Sequence, residues 1–161
     1  MVAYLRLTIA SVVYSDAEEC SVESSISEYG VSGNFEASFS NFGGRHDNDF
    51  SIGNDVLIEA DTSSPATTDI FRGIVEDIDF EGDGPEERVR IRGRDYTARL
   101  MDEIVEPEVY TDTEISVIVN DIFDKYVSDT NITRTGVSTT GVTLPRMVFN
   151  DVTVYEALKR L

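Results

Sequence analysis

Two stretches decide the fold: IFRGIVEDIDF at residues 70–80 and RVRIRG at residues 88–93, separated by EGDGPEE at 81–87. The second alternates strictly, with Val89 and Ile91 on one face and Arg88, Arg90 and Arg92 on the other. That two-residue period is the mark of a half-buried strand. The first stretch is a longer strand in which Gly73 marks a bulge or bend. The loop between them is rich in Gly, Asp and Pro, so the pair reads as a β-hairpin.

The strand pattern continues toward the N-terminus. YLRLTI at 4–9 alternates, and DVLIEA at 55–60 is a further strand. NFEASFSNF at 34–42 sets Phe35, Ala37 and Phe39 against Glu36, Ser38 and Ser40. Residues 15–27 are polar and acidic, with Cys20, Val22 and Ile26 as the only large apolar positions, and read as a loop or a weakly specified strand. GGRHDND at 43–49 and DTSSPATT at 61–68 are loops. About six strands in a row predict a small antiparallel β-barrel or sandwich over residues 1–106.

The texture changes beyond Pro107. Asp95 is placed to cap a short helix beginning at Tyr96. Thr111 and Glu114 have capping-box spacing. Behind them Ile115, Ile118, Val119, Ile122, Phe123 and Tyr126 recur at spacings of three and four. That is an amphipathic helix, with Ile118, Ile122 and Phe123 as its buried stripe. Residues 131–141 are a Thr-, Ser- and Gly-rich loop, and VTLPRMVF at 142–149 is extended. Thr153 and Glu156 form a second capping box, opening a helix with Val154, Leu158 and Leu161 on one face. Residues 107–161 therefore read as the start of a smaller α/β domain, giving an α+β chain that is mainly β. So short a last helix needs a partner for its apolar face. The expectation is a longer protein, or a terminus docked on another subunit.

The chain has 161 residues, with 13 Lys plus Arg against 31 Asp plus Glu, for a net charge of −18. A hydrophobic fraction of 40% excludes a disordered chain. No run approaches the roughly 20 apolar residues of a membrane-spanning helix. The opening MVAYLRLTI has no signal-peptide pattern. The charge argues against nucleic acid and anionic membrane surfaces as partners, since both need a basic face. Of the basic residues only Lys125 and Lys159 are lysines, and the acids are spread along the whole chain. A uniform acidic coat poor in Lys reads as adaptation to very salty water, where the Debye length is about 3 Å and self-repulsion is screened. It is similar to proteins of haloarchaea and their viruses; the alternative is an ordinary acidic protein.

Residues that carry chemistry are sparse. His46, the only histidine, has Asp47 and Asp49 nearby, and a His–Asp pair can act as a base. No nucleophile motif accompanies it, so a solvated turn histidine is the stronger reading. Gly30 to Gly33 is too short for a dinucleotide fingerprint. Asp77, Asp79, Glu81 and Gly82 match part of a calcium loop, but the twelfth position is Arg88 and Pro85 lies inside, so the strand-to-hairpin reading outweighs it. Asp47, Asp49 and Asp55 lack the loop glycine and read as solvated. Cys20 is the only cysteine, which excludes an intrachain disulfide and a thiolate zinc site. Its neighbours Asp16, Glu18 and Glu19 disfavour a thiolate. Asn131-Ile132-Thr133 is a formal glycosylation triplet. No catalytic, cofactor-binding or metal-ligating residue is assigned, and the reading is not an enzyme.

The order of elements from residue 70 onward resembles a known family. FRGIVEDI at 71–78, VRIRGRDYTARL at 89–100 and YTDTEISVIVNDI at 110–122 follow one another. This is similar to the front half of baseplate hub or tail-tip proteins of tailed phages and contractile injection systems. Gly93, Arg94, Asp95, Tyr96 and Leu100 fill the family's Gly-x-Asp-Tyr-x-x-x-Leu element, and Asp124-Lys125-Tyr126 closes the third. FNDVTVYEAL at 149–158 is similar to the next helix, which continues further in the family. The resemblance implies a tube-like β-barrel domain and a homotrimer on the tail axis. It implies contacts with the tail tube protein and other tail-tip or baseplate proteins, leading on to a spike or fibres. It further implies no catalytic residues and no cofactor, and a virion component assembled in the host cytoplasm. Two alternatives stand beside it: a halophilic β-domain that binds sugar, for which seven Tyr must replace the missing Trp platform, and a calcium-assisted hydrolase. The Arg88, Arg90 and Arg92 stripe has two readings. It complements carboxylates on a neighbouring subunit, or it neutralises Glu76, Asp77 and Asp79 across its own hairpin.

The charge pattern makes a direct prediction. Thermal melting followed in rising potassium chloride should show stability increasing toward molar salt. Equal stability at low and multimolar salt contradicts the salt-adapted reading.

Overall fold

A computed structural model describes residues 4–23, 32–128 and 131–161. Strands β1 (Tyr4–Ile9), β2 (Val12–Tyr14), β3 (Ala17–Glu23), β4 (Asn34–Ser40), β5 (Asp55–Asp61), β6 (Asp69–Glu81) and β7 (Arg88–Asp95) form one antiparallel sheet. Its order is β2-β1-β5-β6-β7-β4-β3. The two edge strands, β2 and β3, are joined only by Ser15 and Asp16. That short link draws the two edges together, and the sheet curls into a half-barrel. The curling shelters edges that would otherwise present open rows of backbone donors and acceptors.

The alternation on β7 sets the interior. Val89 pairs with Phe39 and Phe80, and Ile91 with Ala37 and Ile78. Leu7, Ile9, Phe39, Val56, Ile58, Val75, Val89 and Ile91 are fully buried in one cluster. Gly73 is not the bulge. The β6–β7 register shifts between Val75 and Asp77 instead. A side chain at Gly73 would run into the Arg94 carbonyl, and one at Gly93 into the Ile74 carbonyl and the Phe35 ring. Both glycines are there for close backbone approach.

Residues 17–23 are a regular strand rather than a loop, because Cys20 and Val22 pack against the core while Glu19, Ser21 and Glu23 pair along β4. Ile26 lies outside the described residues, as does part of the Gly30–Gly33 motif.

The chain divides at Asp95/Tyr96 into two compact units. The second holds α1 (Thr97–Asp102), β8 (Ile104–Val105), β9 (Glu108–Glu114), α2 (Ile115–Tyr126), β10 (Thr143–Phe149), β11 (Val152–Thr153) and α3 (Val154–Lys159). β8 pairs with β11 and α1 contacts α3, so residues 96–106, expected in the β domain with a boundary at 106/107, group with this unit. β9 pairs with β10. Val105, Ile118, Ile122, Phe149, Val152, Val154 and Ala157 form its core.

Helix starts were the least legible part. Thr111 caps nothing: it lies in β9 opposite Arg146, because pairing with β10 carries the strand on to Glu114. Glu114 is itself the N-cap of α2. Its carboxylate accepts from Ser116 N at 2.9 Å and from the Ser116 hydroxyl. It also accepts from Thr140 N at 2.7 Å and Gly141 N at 3.2 Å. The hydrogen bonds from Ser116 and Thr140 hold the Glu114 carboxyl down at about 2. Asp95 likewise stays in β7, accepting from Gly33 N at 2.6 Å, and Tyr96 caps α1 without a side-chain bond. The Thr153–Glu156 box forms as read, with Glu156 N donating to Thr153 Oγ1 at 3.0 Å. The buried seam of α2 runs through Ile118 and Ile122, and Phe123 is only half-buried at its margin.

These placements predict a contrast. Ile122→Ala should cost about 2–5 kcal/mol in chemical denaturation, as for a buried aliphatic truncated in a packed core. Thr111→Ala should stay within about 0.5 kcal/mol of the parent. The reverse order would mean that the helix face and its start are misplaced.

Candidate interaction surface

The outer face of the half-barrel is a lattice of ion pairs centred on β7. Arg88 pairs with Glu18 at 3.2 Å, and Arg90 with Glu36 at 3.3 Å and Glu81 at 3.0 Å. Arg92 pairs with Glu36 and Asp77, both at 3.0 Å. Arg94 grips Glu76 with two donors, at 2.8 and 2.7 Å. Of the two readings of the arginine stripe, this geometry matches neutralisation within the chain's own sheet. The partners differ in part from those expected. Glu36 on β4 and Glu18 on β3 take part, whereas Asp79, opposite Arg90 in register, makes no ion pair among the described residues. An open groove of about 420 Å³ runs over this face, and Arg92 and Arg94 inside it are both paired.

His46 is not a solvated turn residue. It is 4% exposed, in the loop between β4 and β5. Its ring stacks on Phe50 at 5.8 Å and lies 5.3 Å from Phe39 and 6.1 Å from Tyr14. Nδ1 sits 2.8 Å from Asp49 Oδ2. Nε2 sits 3.3 Å from Asp16 Oδ2, outside hydrogen-bond alignment. Asp16 also holds Arg45 at 2.9 Å. Burial, then Asp49 and Asp16, push the Tyr14 phenol up. The aromatic group Tyr14, Phe39, His46 and Phe50 thus packs together beside the β2–β3 corner, and the histidine serves packing.

The remaining candidates do not converge. Asp77 and Glu81 lie along β6 in ion pairs, and Asp47 accepts from Asn41 Nδ2 at 2.9 Å. Among the described residues no three His, Cys, Asp or Glu side chains gather at metal-binding distance. Cys20 is half-buried, and burial pushes its thiol up. In the second unit Tyr110 donates to Asp121 at 2.6 Å, and Lys125 reaches Glu108 and Asp121, each at 2.8 Å. Burial and the Asp121 bond push the Tyr110 phenol up, while Lys125 and Tyr110 hold the Asp121 carboxyl down. This network joins α2 to β9. No helix among the described residues is long and apolar enough to cross a membrane.

No family model matches the chain, and no curated protein matches its sequence. Solved structures do match its fold. The 43 kDa tail protein of prophage MuSo2 from Shewanella oneidensis aligns with a TM-score of 0.67 at 18% identity, over 99% of this chain and 47% of its own. A tail protein from Neisseria meningitidis MC58 aligns with a TM-score of 0.67 at 11% identity, over 98% and 44%. The Escherichia coli c3393 protein aligns with a TM-score of 0.50 at 8% identity, over 98% and 38%. It is described as a type VI secretion system component with structural similarity to bacteriophage T4 tail proteins gp27 and gp5. The chain therefore spans less than half the length of each, and what it shares with them is the fold.

The ion-pair lattice yields a prediction. Reversing Arg90 and Arg92 to Glu should lower the melting temperature, because it sets like charges on β4, β6 and β7 side by side. The mass of any assembly formed by the folded protein should not change. Loss of assembly with an unchanged melting temperature would place the stripe at an interface.

Proposed function

We propose that this chain is a structural component of a phage-type tail or a secretion-system baseplate, acting in a hub or tail-tip ring. The observation that carries this is the fold match to two tail proteins over 98–99% of the chain at TM-scores of 0.67. The chemistry agrees with a scaffold. The one histidine is buried among aromatic rings, the cysteine is half-buried, and the arginines of β7 are consumed by acids of their own sheet. The sugar-binding alternative loses ground because Tyr14, Tyr110 and Tyr126 are engaged in internal packing or hydrogen bonds.

In the finer form of this reading, copies of the chain form a trimer at the distal end of the tail tube, joining it to a spike or fibres. Tube and other tail-tip proteins are its neighbours, the virion is its location, and it performs no catalysis. The acidic coat with eleven Arg and two Lys supports a virus of salt-loving, archaeal hosts. Native mass measurement of the purified chain in molar salt tests the assembly. A closed trimer is the expected species. A chain that stays monomeric at all concentrations, alone and with a tail tube protein, contradicts the hub reading.

A further inference from the structure

One end of the half-barrel is built to present apolar side chains. Register puts the end of β1 beside the start of β5, and Ala10 N donates to Asp55 O at 2.9 Å. It puts the end of β4 beside the β6–β7 hairpin, where Asn41 N donates to Glu87 O at 2.7 Å. The β1–β2 turn, the 41–54 loop and the 82–87 loop therefore share this end, and β7 leaves the sheet at the other. Phe42 is 65% exposed here and Ile52 is 72% exposed, the two most exposed large apolar residues described. Val12 and Val13 follow on the adjacent hairpin at 53% and 50%.

These residues are held in place. Phe42 and Ile52 each occupy the second position of a four-residue turn whose third is a glycine of positive φ. In Asn41–Gly44, Gly43 has φ 73° and Gly44 N donates to Asn41 O at 2.9 Å. In Ser51–Asn54, Gly53 has φ 88° and Asn54 N donates to Ser51 O at 3.1 Å. Both match a type II turn, which calls for glycine at its third position, and the side chain before each glycine stands exposed. The first turn is anchored by fully buried Asn41, whose Nδ2 reaches Asp47 and Glu87 and whose Oδ1 accepts from His46 N at 2.7 Å. The second is tied to β6 by Gly53 N to Val75 O at 2.7 Å and Val75 N to Asn54 O at 2.9 Å. Buried His46 and Phe50 fix the segment between them. Internal anchors this complete, with large apolar groups turned outward, are the arrangement of a preformed protein contact.

We propose that this loop end is a docking surface for a different protein that offers an apolar patch with a basic rim. The choice of occupant follows from charge. Exposed Asp47, Asp49, Asp55, Asp83 and Glu86 surround the apolar residues, and the nearby Arg45 is already held by Asp16. Two copies of this end facing each other would set the same carboxylates together, so the complementary surface belongs to another protein. The inference goes beyond the tail reading, since it rests only on the surface chemistry of the first unit.

The test uses the whole chain and a substitution that leaves its charge unchanged, F42S together with I52S. The probes are two amphipathic peptides, one alternating Leu with Lys and one alternating Leu with Glu, titrated by fluorescence anisotropy. The parent should bind the Lys peptide and not the Glu peptide. The double variant should melt like the parent and bind the Lys peptide at least about tenfold more weakly, as when central apolar contacts of an interface are removed. The exposed V109S variant in the second unit should bind like the parent. Equal binding by parent and double variant overturns the proposal, because attraction is then only to diffuse charge. Self-association of the parent, abolished by the double variant in sedimentation, also overturns it in favour of a second copy. A trimer that persists in the double variant leaves this proposal standing, so the docking reading and the hub reading fail separately.

Discussion

Four arginines on one strand let an acidic chain form a tight sheet. β7 lies between β6 and β4, and its outward positions Arg88, Arg90, Arg92 and Arg94 reach acids on β3, β4 and β6. Without them Glu36, Glu76, Asp77 and Glu81 would line one face of neighbouring strands as like charges. Exposed ion pairs individually stabilise little. Their importance here is register. Each arginine finds its acids only in one alignment of the strands, the same alignment that turns Val89, Ile91 and Gly93 inward against Phe39, Ala37 and Phe35. A slip of one residue would bury the arginines and expose the core.

The rest of the first unit follows from that alignment. The sheet curls, its edges meet at Ser15 and Asp16, and Tyr14, Phe39, His46 and Phe50 pack beside that corner. Charges and buried polar groups are spent on holding this shape. At the loop end large apolar side chains stand outward on hydrogen-bonded turns among exposed carboxylates, which suits contact between macromolecules better than chemistry.

Much of this was readable in the sequence. The period-two alternation of Arg88–Arg92 and of Phe35–Phe39 gave strands, faces and most of the core, because burial on one face leaves a direct mark on the order of residues. The Thr153–Glu156 box was readable for a similar reason, since both partners are local. What failed depended on distant partners. Thr111 has the spacing of a cap, but β10, more than thirty positions away, claims it for a strand. Asp95 is held by Gly33 across the sheet. His46 looks solvated among glycines and aspartates, and only the fold brings Tyr14, Phe39 and Phe50 around it. The docking end was equally hidden. Phe42 lies two residues past the end of β4 and reads as its continuation, until Gly43 and the buried Asn41 turn it outward.

The dependence of the sheet on β7 can be measured directly by amide hydrogen exchange under native conditions. In the parent, amides of β4, β6 and β7 should be the slowest to exchange in the first unit, and those of the edge strands β2 and β3 faster. Arg92→Gln should speed exchange in β4 and β6 before it affects β1 and β5, since Arg92 contacts Glu36 and Asp77 on those two strands. If β7 exchanges as fast as the edges, or the substitution loosens every strand equally, the arginine lattice does not set the sheet.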